Sequence, residues 1–114
     1  MKPLIIALIL FLNGTTVFAG STLGEFVDDA PKNEQYLDWI YFSGQAMMFS
    51  SITAERKTGT PIYCPPPKLS ITPDQYLLIL SKSVGDLKAR DRDVSTFGLF
   101  LLEGLQKTFP CGGG

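Results

Sequence analysis

The segment Ile71-Thr72-Pro73-Asp74-Gln75, followed by the apolar run YLLIL at 76–80, is the stretch that decides the fold. Thr72 has the character of an N-cap, Pro73 suits the first helical position, and Gln75 follows the cap by three residues, as in a capping box. The five apolar residues that come next indicate a helix buried on most of its sides. The segments on either side must therefore supply helices that pack against it.

Two flanking segments show helical periodicity. Residues 33–56 repeat apolar side chains at helical spacing, with Gly44 and Ser51 on the same stripe, and residues 94–108 do so before Phe109-Pro110 ends the pattern. We expect residues 20–30 to form an irregular lead-in in which Leu23, Phe26 and Val27 pack as a short turn. We expect the mixed-charge residues 88–93 to form a solvated turn, with a contact surface as the alternative. No segment shows the clean alternation of apolar and polar residues that is typical of a β-strand. The sequence predicts an all-α fold, a small helical bundle of three to four helices with one disulfide.

Composition narrows the classes of function. The 114 residues include 10 Lys and Arg against 11 Asp and Glu, and no His. This balance argues against a nucleic-acid-binding surface, and the lack of His removes the commonest general base and metal ligand. Asp91 and Asp93 lack the glycine and the bidentate Glu of a calcium loop. We therefore expect no catalytic residue, no metal and no cofactor, and a protein that is not an enzyme but binds another macromolecule.

The first nineteen residues have the pattern of a secretory signal peptide. Lys2 supplies a positive charge, and residues 4–12 are an apolar run. Val17 and Ala19 are small or medium-sized residues at positions −3 and −1 of a cleavage site after Ala19. The run is about half of the roughly 20 residues that a membrane helix needs. The alternative is a buried N-terminal helix. We expect an exported chain with no stable membrane anchor after cleavage.

Cys64 and Cys111 are the two cysteines, and an even number in an exported chain indicates a disulfide. Their pairing closes a loop of about 48 residues, which in the loop-entropy treatment stabilises the fold by about 4 kcal/mol. Two free thiols and an intermolecular bridge are the alternatives. Three consecutive prolines follow Cys64, and they predict an extended spacer pinned by the disulfide, with a groove-binding proline segment as the alternative.

Four motifs between Leu37 and Cys111 resemble the Rap/Tai family of small periplasmic immunity proteins, which act against type VI secretion amidase effectors. They are YFSG at 41–44, CPP at 64–66, ITPDQ at 71–75 and the helix end LQKTFPC at 105–111. Gln45-Ala46 stand where an acidic residue often follows the glycine, and the second cysteine pair of many members is absent. The resemblance implies a helical immunity domain over residues 20–111, with a flexible tail at 112–114.

The resemblance also implies a function and a partner. An immunity protein of this kind, often a homodimer, blocks the cleft of its cognate amidase toxin and performs no chemistry itself, so the chain is expected in the periplasm. Two loops, residues 55–63 and 88–93, are candidates for the contact. Arg and Tyr are enriched at the energetic centres of interfaces, and the candidate partner-binding residues are Arg56, Lys57, Tyr63, Arg90 and Arg92.

Two other functions fit a small exported helical protein. One is a periplasmic acid-stress chaperone that dissociates and exposes apolar surface as its carboxylates protonate. The other is a different small binding protein of the envelope. An immunity protein has one stoichiometric partner at neutral pH, whereas a chaperone binds many clients after acidification.

Overall fold

The computed structural model describes residues 21–112. The predicted signal peptide and the last two residues of the predicted tail lie outside this part of the chain. The described residues form five α-helices and two short 3-10 helices, with one disulfide and no strand, which confirms the predicted all-α fold. The helices are α1 (Leu23–Asp29), α2 (Glu34–Thr58), α3 (Pro73–Ser83), α4 (Leu87–Arg90) and α5 (Phe97–Thr108), and the 3-10 helices are Ala30–Lys32 and Val94–Thr96.

Helix α2 is the longest element and begins and ends on local signals. The Asn33 side chain accepts a hydrogen bond from the Tyr36 backbone N–H, and Gly59 ends the helix in the left-handed conformation at φ 81°. This C-cap favours glycine because a Cβ is strained there. The predicted helix of 33–56 is confirmed, and it extends two residues further, to Thr58. One face of α2 is buried at Ile40, Gly44 and Ser51.

Helices α3 and α5 pack against each other in opposite directions. The predicted capping box at the start of α3 is present, since Thr72 Oγ1 accepts from the Gln75 N–H and Gln75 Oε1 accepts from the Thr72 N–H. Gly104 of α5 lies against Ile79 of α3, where a Cβ would come within 2.8 Å of the Ile79 side chain and 2.9 Å of its carbonyl oxygen. Glycine therefore sets the close approach of the two helices.

Helix α1 forms where an irregular lead-in was expected, so the predicted backbone conformation is wrong, whereas the predicted packing of Leu23, Phe26 and Val27 is confirmed. Thr22 caps the helix by accepting from the Glu25 N–H. Leu23 and Phe26 are almost fully buried. The Leu23 N–H also donates to the Arg92 carbonyl at 2.7 Å, within an isolated antiparallel bridge between Thr22 and Asp93. Tertiary contacts thus offset the low helix propensity of the glycine and aspartates in this segment.

The mixed-charge segment is helical over residues 88–90 and turns at residues 91 and 92. Residues 87–90 form α4, which begins where Asp86 accepts a hydrogen bond from the Ala89 N–H at 2.7 Å. Its single turn joins α3 to the 3-10 helix that precedes α5. The predicted solvated turn is therefore wrong for residues 88–90 and confirmed for Asp91 and Arg92, which are exposed to solvent.

The two cysteines form the predicted disulfide, with their Cα atoms 5.1 Å apart. The Cys64 N–H donates to the Phe109 carbonyl at 2.9 Å, so the chain is fixed at this point by a backbone hydrogen bond as well. The bond joins the loop before α3 to the end of α5. It closes a covalent ring that contains α3, α4 and α5, while α1 and α2 lie outside the ring.

Candidate functional site

The end of α2 projects into solvent and then turns back to the body of the protein. Residues 55–62, which we call the elbow, comprise the last turn of α2, Gly59 at the apex and the return to Ile62. Every residue from 55 to 60 is exposed, and Ile62 keeps 37% of its surface exposed. A projecting segment of this kind is well placed to enter a concave partner.

A buried serine holds the base of the elbow. Ser51 Oγ donates to the Tyr63 carbonyl at 3.0 Å and accepts from the backbone N–H groups of Ile62 at 2.9 Å and Tyr63 at 3.2 Å. Ser51 itself is 4% exposed. Its hydroxyl satisfies three backbone groups that burial would otherwise leave unpaired, which is costly. The returning chain is therefore fixed against α2.

Two further hydrogen bonds, both made by the Thr58 hydroxyl, fix the apex of the elbow. Thr58 Oγ1 donates to the Ala54 carbonyl at 2.7 Å and accepts from the Thr60 N–H at 3.2 Å. These bonds hold the backbone on both sides of Gly59. A segment that is ordered before it binds loses less conformational entropy on binding, so its contacts contribute more of their energy to affinity.

The elbow adjoins a groove formed by α2 and the proline-rich loop. The groove has a volume of about 450 Å³, and its lining is mainly apolar. A second groove of about 310 Å³ lies on the other side of this loop, against α3 and the end of α5. Leu69 and Pro66 belong to both grooves. The lining of the first groove includes Met48, Ile52, Glu55, Pro61, Pro65, Pro66, Pro67, Lys68 and Leu69.

The structure separates the five predicted contact residues. Arg56 and Lys57 are exposed on the elbow, whereas Arg90 and Arg92 lie beside α1. The guanidinium of Arg90 forms an ion pair with Asp28 and lies over Gly24. Arg90 is therefore engaged within the protein, while the Arg92 side chain remains exposed.

Tyr63 is not a surface contact, and this part of the prediction is wrong. Its side chain is 1% exposed, and its ring lies 6.4 Å from that of Phe109, centroid to centroid. Burial raises the pKa of the Tyr63 hydroxyl above its ordinary value. The disulfide brings Phe109 to this position, and a residue next to Cys64 is thereby drawn into the core.

Asp93, one of the acidic side chains considered as a calcium ligand, has a structural role. The Asp93 carboxylate accepts a hydrogen bond from the Ser95 N–H at 2.9 Å, and the hydrogen bonding of Ser95 lowers the pKa of Asp93. Asp93 thus caps a 3-10 helix. Within residues 21–112, no group of three or more acidic or cysteine side chains is arranged to hold a metal ion.

Two exposed phenylalanines were not among the contact residues predicted from the sequence. Phe42 and Phe49 are 65% and 60% exposed on the face of α2 that points away from the core. They are seven residues apart, so they share one side of the helix. The helical spacing itself was the available signal, because the core positions Ile40, Gly44 and Ser51 assign both phenylalanines to the opposite face.

A membrane-spanning segment is not found in the described part of the chain, where no helix has the length and apolar character that crossing requires. Comparisons with protein families, with curated proteins and with solved structures gave no match to this chain.

Proposed function

We propose that this chain is a periplasmic immunity protein that binds a type VI secretion peptidoglycan amidase and occludes its active-site cleft. The observation that carries the proposal is the elbow, which is exposed, projects from the fold and is ordered before any partner binds. The four motifs that resemble the Rap/Tai family name the class of partner. The disulfide and the predicted signal peptide are compatible with an oxidising compartment outside the cytoplasm.

To occlude a cleft, a protein needs a surface that is complementary to the cleft in shape and charge, and it needs no reactive group. The elbow presents the cations Arg56 and Lys57 together with the apolar side chain of Ile62. An interface commonly combines an apolar centre with a polar or charged rim. The elbow would fill the cleft, and the adjoining groove would receive apolar side chains from the cleft wall.

The experiment that tests this function begins with the chain from 20 to 114, produced with its disulfide formed. It is used as bait at neutral pH in an envelope extract of the source strain, and the captured protein is then purified. We expect one stoichiometric partner that cleaves peptidoglycan with a Cys and a His, and we expect the chain to inhibit that cleavage at a one-to-one ratio. Many clients that bind only after acidification would overturn the proposal in favour of the acid-stress chaperone.

Paired variants locate the contact. Lys57→Glu combined with Ile62→Asp should weaken inhibition at least tenfold, because both side chains lie on the exposed elbow. Lys32→Glu makes the same charge change in the 3-10 helix before α2, outside both candidate contact loops, and should leave inhibition unchanged. Equal inhibition by all three proteins would show that the elbow is not the contact, even where a partner is found.

A further inference from the structure

The second groove, which lies between α3, the proline-rich loop and the end of α5, has an apolar middle. We call it the α3 groove. Four residues of α3 line it at positions i, i+3, i+4 and i+7, so they share one face of the helix: Gln75, Leu78, Ile79 and Lys82. Leu78 and Leu69, from opposite walls, keep 56% and 38% of their surfaces exposed. The groove has a volume of about 310 Å³, at the lower end of the range of small-molecule sites, which is about 300–1,000 Å³.

The charge of the α3 groove is positive. Lys82 is the only charged residue among the described residues that line it, and its ammonium group forms no ion pair with any residue from 21 to 112. Gln75 lies about 10 Å away along the helix, at a rise of about 1.5 Å per residue. Its Oε1 atom accepts from the Thr72 N–H, so its amide nitrogen remains free to donate. The first groove differs, because both Glu55 and Lys68 line it. An apolar groove with a cation and no carboxylate complements an apolar anion.

The backbone of the groove walls offers little to a bound peptide. Pro66 has no N–H, and its carbonyl accepts from the Leu69 N–H at 3.3 Å. The Phe109 N–H donates to the Leu105 carbonyl, and the Phe109 carbonyl accepts from the Cys64 N–H, both at 2.9 Å. An extended peptide that binds along a wall draws affinity from main-chain hydrogen bonds, and these positions have none to give. An alkyl chain needs no such bonds, because the burial of apolar surface drives its binding.

We propose that the α3 groove binds a single-chain carboxylate of the fatty-acid type. The alkyl chain lies over Leu78 and Ile79, between the proline-rich loop and the end of α5. The carboxylate pairs with Lys82 in the last turn of α3. The proposal does not rest on the function proposed above, since no residue of the elbow lines this groove.

Calorimetric titration of the 20–114 chain, with its disulfide formed, tests the ligand class at neutral pH. Decanoate should bind, and decylammonium, which has the same alkyl chain with the opposite charge, should bind about tenfold more weakly. Octanoate should bind about fivefold more weakly than decanoate, because it buries two fewer methylene groups. No binding of decanoate, or equal affinities for decanoate and decylammonium, would overturn the proposal.

Two variants, each with a matched control, test the site. Lys82→Glu should reverse the preference, so that decylammonium binds more tightly than decanoate, whereas Lys32→Glu should leave the preference unchanged. Leu78→Asp should weaken decanoate binding about tenfold. Leu99→Asp is its control, because Leu99 is 53% exposed on α5 and does not line the groove. Unchanged binding in the Lys82 and Leu78 variants, or an equal loss in their controls, would assign decanoate to another surface.

A peptide probe and amide chemical shifts separate the remaining possibilities. Acetylated trileucine with a free carboxyl end carries the same charge as decanoate on an amide backbone, and it should bind more weakly. If it bound more tightly, the groove would be a peptide site and the proposal would be wrong. Decanoate should shift the amide signals of Leu78 and Lys82. Shifts centred instead on Ile52 and Glu55 would place the ligand in the first groove and contradict the proposed site.

Discussion

The ring of Tyr76 lies directly against the backbone of Gly44, so that a Cβ on Gly44 would collide with three of its ring carbons. The Tyr76 hydroxyl also donates to Gln45 Oε1 at 2.9 Å, on the residue next along α2. Tyr76 is fully buried. This contact sets the distance between α2 and α3 in the centre of the core.

Gly44→Ala should destabilise the protein. Alanine is the better helix former by about 1 kcal/mol, but its methyl group must displace a buried aromatic ring, and overpacking typically costs about 1–3 kcal/mol. The free energy of unfolding, measured in urea, should therefore fall. Gly98→Ala is the matched control, because its Cβ would meet only the end of Met47, at 3.7 Å. An increase in stability for Gly44→Ala would show that Tyr76 moves aside freely.

Tyr76 should make the fold sensitive to alkaline pH. Burial, followed by the nearby Tyr63 and Tyr41, raises its pKa from 10.0 to about 12. The folded state thus holds the phenolic proton more tightly than the unfolded state does. This contribution to stability is fully present below pH 10 and is lost as the pH rises toward 12.

Tyrosinate absorbance during a pH titration checks this prediction, with unfolding followed in parallel by circular dichroism. Tyr76→Phe should remove one late-titrating group and leave Tyr63, whose pKa burial also raises, whereas a variant of an exposed residue should keep both. If every tyrosine titrated near pH 10 while the protein stayed folded, the proposed effect of burial on Tyr76 would be wrong.

Ser51→Ala should loosen the elbow more than it disturbs the rest of the fold. It leaves the buried N–H of Tyr63 without its acceptor, and such a loss typically costs about 1–3 kcal/mol. Amide hydrogen exchange at Ile62 and Tyr63 should accelerate strongly. Ser50→Ala is the control, since the Ser50 hydroxyl is exposed and donates only to Ala46 within α2. Equal exchange in both variants would show that Ser51 does not hold the elbow.

Removal of the disulfide should cost a large part of the stability. Cys64 and Cys111 are 47 residues apart in sequence, and the loop-entropy treatment assigns about 4 kcal/mol to a bridge of this span. Cys64→Ala with Cys111→Ala should lower the denaturant midpoint accordingly. The wild-type chain under reducing conditions should match the double variant, and an unchanged midpoint in both would contradict the prediction.

The ion pair between Arg90 and Asp28 should contribute little. Their side chains are 34% and 61% exposed, respectively, and exposed pairs typically contribute about 0–1 kcal/mol. A double-mutant cycle with Arg90→Ala and Asp28→Ala should give a coupling energy in that range, and added salt should reduce it. A coupling energy of several kcal/mol would mean that this pair, and not the buried face of α1, holds α1 in place.

The parts of the fold that rest on local signals could be predicted from the sequence. The start of α3 is one, because Thr72, Pro73 and Gln75 act within a single turn. Helix α1 could not be predicted in the same way, since it depends on the bridge between Thr22 and Asp93. Thr22 and Glu25 nevertheless have the spacing of a capping box, and that was the local sign of α1.

The residues of the candidate site also differ in whether local sequence signals could predict their positions. The exposure of Arg56 and Lys57 follows from their place at the polar end of a helix. The burial of Tyr63 depends on Phe109, which only the disulfide brings near, so a tyrosine in an apparent loop was assigned to the surface. Ser51 was recognised as a small residue on the buried stripe, but its three hydrogen bonds require the returning chain, which the sequence does not place.

Because of the covalent ring, the residues inside it and the residues before Cys64 respond differently to a mechanical force. A pull applied at the two ends bypasses the segment between Cys64 and Cys111, because the load passes through the sulfur atoms. Among the described residues, only those before Cys64 can then be drawn out to any length, which are α1, α2 and the elbow. Single-molecule extension should therefore release α1 and α2 alone, and reduction of the disulfide should add the contour length of the remaining three helices.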